Sequence, residues 1–134
     1  MVFCYMIMDE MFTFERKKSL KRYIWTSIAV TATGKYFYFY HLSKRRDSVA
    51  LFNFNFDLPK VDKIYSDEAF SYHKIYGTKS IRKKSKITNV IENLNSQIRD
   101  KISYLVRKSK AHSKSFEWLK NRLAVFFVNK NLRF

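Results

Sequence analysis

Three acidic residues are the side chains of this sequence best suited to chemistry. The chain holds 27 Lys and Arg against 11 Asp and Glu, a formal charge of +16, so a carboxylate that closes an apolar run is conspicuous. Asp9 closes VFCYMIM and Asp67 closes KIYS. Glu92 sits inside ITNVIENLNSQIRDKI, with Arg99 seven residues further on. Fifty-seven residues separate the two aspartates, and 24 separate Asp67 from Glu92. Brought together by folding, such carboxylates present hard oxygen ligands to a divalent ion such as Mg²⁺, and the basic surround attracts a polyanion. That combination suits in-line phosphoryl transfer on nucleic acid.

Each acid also has a plainer reading. Asp9, with Glu10 beside it, can simply mark the exit of a strand. Asp67 and Glu68 suit the N-cap and first turn of a helix. At about 100° per residue, Glu92 shares a polar helical face with Asn89, Asn95, Ser96, Arg99 and Ser103, opposite an apolar stripe. Such a face either lines a cleft or is merely solvated. Between Thr78 and Lys114 the sequence places eleven Lys and Arg against two acids, Glu92 and Asp100. Positive charge of that density next to a carboxylate is what a phosphate backbone requires. His41, His73 and His112 are not spaced as metal ligands. Cys4, the single cysteine, rules out a disulfide framework or a Cys-rich zinc site and reads as a small core residue. The aromatics of KYFYFYHL can stack on bases, but their alternation fits a buried sheet better.

The elements that must position these residues follow from composition and period. With 46% apolar and 18% aromatic residues in 134, the chain is long enough for one domain with a real core, not a disordered basic tail. No apolar run reaches the roughly 18 residues of a membrane span, and the first ten residues lack the features of a signal peptide. The first half is strand-like. Residues 2–15, 21–31 and 35–42 are rich in β-branched and aromatic side chains and are separated by RKKSLK and ATGK, which predicts three successive antiparallel strands. Asp47 predicts an N-cap for a helix over SVALFNFNF, which Pro59 helps to end. Residues 61–66 read as a fourth strand, followed by a helical turn or two over EAFSYHKIY. From Ile87 apolar residues recur at 87, 90, 91, 94, 98, 102, 105 and 106, one face of a helix of about 25 residues. Ser113 or Ser115 then caps a last helix carrying Phe116, Leu119, Leu123, Phe126 and Phe127. The predicted class is α/β: a mixed sheet of three antiparallel strands, a crossover helix, a further strand and two long C-terminal helices. This order matches the start of the ribonuclease-H-like fold, in which carboxylates come from the first strand, the fourth strand and a later helix.

Several segments resemble the InsAB-type insertion-sequence transposases, whose catalytic domain carries an Asp-Asp-Glu triad. MDEMFTFERKKSLKRYIWTSI is similar to that family's first two strands, and TGKYFYFYHLSKRRDS to its third strand and the Arg-containing loop after it. IYSDEAFSY resembles the second-aspartate segment. TNVIENLNSQIRDKISYLVRKSKAHSKSFEWL resembles the glutamate helix and its Ser-Lys-Ser continuation. The resemblance implies a DNA transposase catalytic domain spanning 1–134, with Asp9, Asp67 and Glu92 as catalytic, metal-binding carboxylates for two Mg²⁺ ions (Mn²⁺ as substitute). It implies DNA contacts by Arg45, Arg46, Lys86, Arg99, Arg107, Lys108 and Lys110. It further implies a homo-oligomer on DNA in the prokaryotic cytoplasm, associated with the nucleoid and with no membrane partner. The family's DNA-recognition region precedes its first catalytic strand. The chain is accordingly expected to lack that domain and to rely on an upstream zinc-ribbon partner. Two rival expectations remain: an inactive remnant that only binds DNA, and another ribonuclease-H-like nuclease, such as a junction resolvase, that cuts without joining.

Overall fold

The computed structural model describes residues 2–14, 21–66, 75–77, 80–81, 88–109 and 115–132. Strand β1 (Phe3–Phe14) pairs antiparallel with β2 (Lys21–Thr31), which pairs antiparallel with β3 (Tyr36–Ser43). Helix α1 (Ser48–Asn55) crosses over and returns the chain to β4 (Lys63–Tyr65), which lies parallel to β1 on its other side. A two-residue strand β5 (Ser80–Ile81) adds in parallel to β4, and helices α2 (Thr88–Ser109) and α3 (Phe116–Leu132) follow. The mixed sheet is ordered β3-β2-β1-β4-β5. The chain is therefore α/β, as predicted, with β5 as an addition: two residues are too short to leave a periodic signal in sequence.

Alternation along the central strands decides which helix each residue meets. Ile7 and Met11 of β1 and Ile24, Ile28 and Val30 of β2 pack under α2 and α3, against Ile91, Leu94, Ile98, Ile102, Leu119, Leu123 and Phe127. The intervening Met6, Met8, Trp25 and Ala29 face α1, against Ala50, Leu51 and Phe54, and are joined by Leu58, Val61 and Ile64. Because β1 is covered on both faces, its first half reads as a continuous apolar run rather than an alternating one. Cys4 departs from expectation: it is exposed. The β1–β2 register shifts between Phe3 and Tyr5, so Cys4 falls at a bulge that takes it out of the alternation that buries its neighbours.

Local signals set the element ends. Asp47 accepts a hydrogen bond from the Ala50 N–H at 3.1 Å and caps α1 as predicted. Of the two serines proposed to cap the last helix, Ser115 does so: its Oγ accepts from the Trp118 N–H at 3.1 Å. In the ATGK turn the Gly34 N–H donates to the Thr31 carbonyl at 3.0 Å with φ +84°, a conformation that disfavours any side chain. The RKKSLK turn lies almost wholly outside the described residues, as does most of EAFSYHKIY, whose last two residues form one helical turn with Gly77. At the free edge of the sheet, Asn131 of α3 pairs with the backbone of Tyr38 in β3. Its Oδ1 accepts the Tyr38 N–H at 2.8 Å, and its Nδ2 donates to the Tyr38 carbonyl at 2.9 Å. A single side chain thus occupies part of an edge that would otherwise template another strand.

Candidate functional site

Asp9 lies near the middle of β1, opposite Thr26 of β2. Its position in the alternation aims it at the α2 side of the sheet, between Ile7 and Met11 of the larger core cluster. There its Oδ2 accepts a hydrogen bond from Asn95 Nδ2 at 2.9 Å, and its Oδ1 accepts the Glu10 backbone N–H at 2.9 Å. Asn95 is itself oriented: Thr26 Oγ1 donates to Asn95 Oδ1 at 2.9 Å and lies 3.3 Å from the Asp9 carbonyl oxygen. Both Thr26 and Asn95 are buried, at 0% and 2% exposure. Strands β1 and β2 and helix α2 are thus joined by one polar chain, Thr26–Asn95–Asp9, set into an apolar layer. Buried polar groups of this kind are stable only when partnered, so the chain fixes the position of α2 over Asp9.

Helical periodicity puts Asn95 on the polar face with Asn89, Ser96, Arg99 and Ser103. Those four are exposed, but Asn95 is not. At about 100° per residue Asn95 stands at the border between that face and the stripe Ile91–Leu94–Ile98–Ile102, so the tilt of the packed helix turns it inward. The signal available in sequence is one amide on the flank of an apolar stripe, which periodicity alone assigns to solvent. Glu92 and Arg99 flank Asn95 one turn before and one turn after it on α2, and both are exposed. One edge of α2 therefore carries carboxylate, amide and guanidinium in succession, and its middle member touches Asp9.

Glu10, next to Asp9, points to the opposite face. Its side chain is only 4% exposed and accepts from Arg46, whose Nη2 lies 2.9 Å from Oε1. Arg45 is engaged in the same loop by Asp47, its Nε donating to Oδ2 at 2.7 Å. The two arginines expected on DNA therefore each hold a carboxylate of this chain, and Arg46 fastens the loop after β3 to the middle of β1. Both remain largely exposed. His41 is half-buried and stacks on Phe54 with ring centroids 5.8 Å apart. Burial pushes its pKa below the ordinary value, and nearby Asp57 opposes that shift.

Arg107 and Lys108 fall within α2, and Asp67, Lys86, Lys110, His73 and His112 lie outside the described residues. Among the described residues no three His, Cys, Asp or Glu side chains gather as a metal site. Nor is any helix among them long and apolar enough to cross a membrane. The β1–β4 ladder is parallel. Its three pairs, Tyr5↔Lys63, Met6↔Ile64 and Ile7↔Tyr65, share one offset, 58 positions (65 minus 7).

Compared with protein-family models, curated proteins and solved structures, the chain matches none.

Proposed function

We propose that the chain is a metal-dependent phosphoryl transferase acting on DNA, built on a ribonuclease-H-like domain and serving as the catalytic part of a transposase. The observation that carries this reading is the Asn95–Asp9 hydrogen bond. It ties the acid of the first strand to the edge of α2 that also bears Glu92 and Arg99. The arrangement of β4, parallel and adjacent to β1 after a crossover helix, supports it. The +16 charge supports an anionic polymer as partner.

In this reading Asp9, Glu92 and Asp67 would hold Mg²⁺, for which an all-oxygen donor set is chemically suited. Ions held there would supply activation of an attacking oxygen and charge stabilisation of a leaving one. The remaining work is positional. Asn95, locked by Thr26, fixes the rotamer of Asp9, and Arg99 on the same edge offers a guanidinium to a phosphate. Lys86, Arg107, Lys108 and Lys110 are the further cations expected to contact phosphate, contacts that place a backbone without reading its sequence.

The test is cleavage and strand joining of plasmid DNA by the full chain, with Mg²⁺ or Mn²⁺ and with chelator. Activity that requires the metal and falls by at least about a hundredfold in Asp9→Asn and in Glu92→Gln, with DNA affinity retained, is expected. Metal-independent binding with no cleavage would establish the rival reading, a DNA-binding module. Cleavage that survives Glu92→Gln would refute the assignment of the α2 edge.

A further inference from the structure

Helices α2 and α3 enclose a groove of about 680 Å³ whose walls combine cations with aromatic rings. Lys101 and Tyr104 line it from α2, and Arg122, Phe126 and Lys130 from α3. At about 100° per residue, Lys101 and Tyr104 stand on the opposite flank of α2 from Glu92, Asn95 and Arg99, so the groove is separate from the candidate site. Tyr104 is 46% exposed, and the Lys101 ammonium lies over its ring, 5.7 Å from the centroid. The Arg122 guanidinium lies over Trp118 at the same distance, 5.7 Å. Lys130 reaches across from α3 to α2, its Nζ donating to Gln97 Oε1 at 2.8 Å. Among the described residues the lining holds these three cations and one acid, Asp100.

We propose that this groove binds an unpaired strand of nucleic acid, with a base stacked on Tyr104 and the flanking phosphates held by Lys101, Arg122 and Lys130. The excess of cations selects an anion as occupant. The rings select which anion. A cation set beside an aromatic plane occurs twice, as Lys101 on Tyr104 and Arg122 on Trp118, and a strand in which every base adjoins a phosphate uses both members of each pair. An acidic peptide satisfies the cations and leaves the rings unused. A duplex keeps its bases inside the stack, so it meets the cations through its backbone and offers Tyr104 no base face. DNA and RNA share the chemistry that the groove recognises. None of its cations is among those expected to position the DNA backbone, and binding here calls for no metal. The inference therefore stands or falls independently of the phosphoryl-transfer reading.

Fluorescence anisotropy of labelled thymidine and uridine oligomers, titrated with the full chain in the presence of chelator, is the test. A blunt DNA hairpin serves as the paired control. Single strands are expected to bind, and the tighter of the two oligomers identifies the natural source. Tyr104→Ala should weaken single-strand binding at least about tenfold, the loss of one stacked base, with hairpin affinity and the circular dichroism spectrum unchanged. Tyr104→Phe, which keeps the ring, should bind as the wild type does. Arg122→Ala should make the salt dependence of single-strand binding shallower, whereas Lys120→Ala, at an exposed site of α3 outside the groove, should not. Three results overturn the proposal: single-strand affinity indifferent to Tyr104→Ala, an equal loss on the hairpin by the folded variant, or failure of both oligomers to bind. Displacement of the oligomers by polyglutamate of equal charge at lower concentration also overturns it, in favour of an acidic protein.

Discussion

Asn95 is where the packing of α2 meets the Asp9 carboxylate of β1. Replacing it with Ala leaves the Thr26 hydroxyl and the Asp9 carboxylate without their mutual bridge inside an apolar layer. The expected loss is about 1–3 kcal/mol of stability, read from urea unfolding, together with a fall in metal-dependent cleavage larger than the loss of folded protein explains. A fall in stability without any change in the activity of the folded fraction would reduce Asn95 to a purely structural role. His41 offers a pH-dependent check of the same kind. Its folded-state pKa is lowered from 6.5 by burial, so the unfolded chain binds the proton more readily. Its contribution is therefore intact above about pH 6.5 and is lost as pH falls from there toward the folded-state value. Urea midpoints between pH 5 and 8 should decline on the acid side, and His41→Phe should flatten that decline.

At the scale of elements, capping and alternation were readable, and the pairings across elements were not. Strands β1 to β3, the Asp47 cap and the long helix from residue 88 follow from local composition and period. Each of these depends on residues within a few positions of one another. The Glu10–Arg46 and Asn131–Tyr38 pairs join residues 36 and 93 positions apart, and nothing local announces them. Asn131 carries a specific expectation. Asn131→Ala removes two hydrogen bonds from the backbone of an edge strand, at a cost of about 1–2 kcal/mol, and re-opens that edge. Thermal unfolding should shift down, and light scattering should detect self-association on storage. An unchanged melting temperature would mean that water replaces the side chain without loss.

At the scale of the whole molecule the dominant quantity is charge. Binding to DNA in this reading is largely sequence-indifferent and steeply salt-dependent, since released counterions drive it. Substituting Arg107, Lys108 and Lys110 together with Ala should weaken binding to all sequences alike. The slope of log affinity against log salt should become shallower by roughly one unit for each phosphate that the variant no longer neutralises. If affinity held and only sequence preference changed, those side chains would be touching bases instead.

The sequence by itself determined the class of this protein: a basic α/β domain with strands first and long helices last, and three isolated acids in a cationic background. Period, caps and charge balance are properties of neighbouring residues, and they survive without a fold. The tertiary structure alone decided that Asp9 and Glu10, adjacent in the chain, serve opposite faces of the sheet. It also decided that Asn95 leaves the polar face of its helix to hold Asp9, and that α2 and α3 enclose a cationic groove. These outcomes depend on which surfaces pack against each other and at what tilt, and a few degrees of helix rotation separate a solvated amide from a buried one.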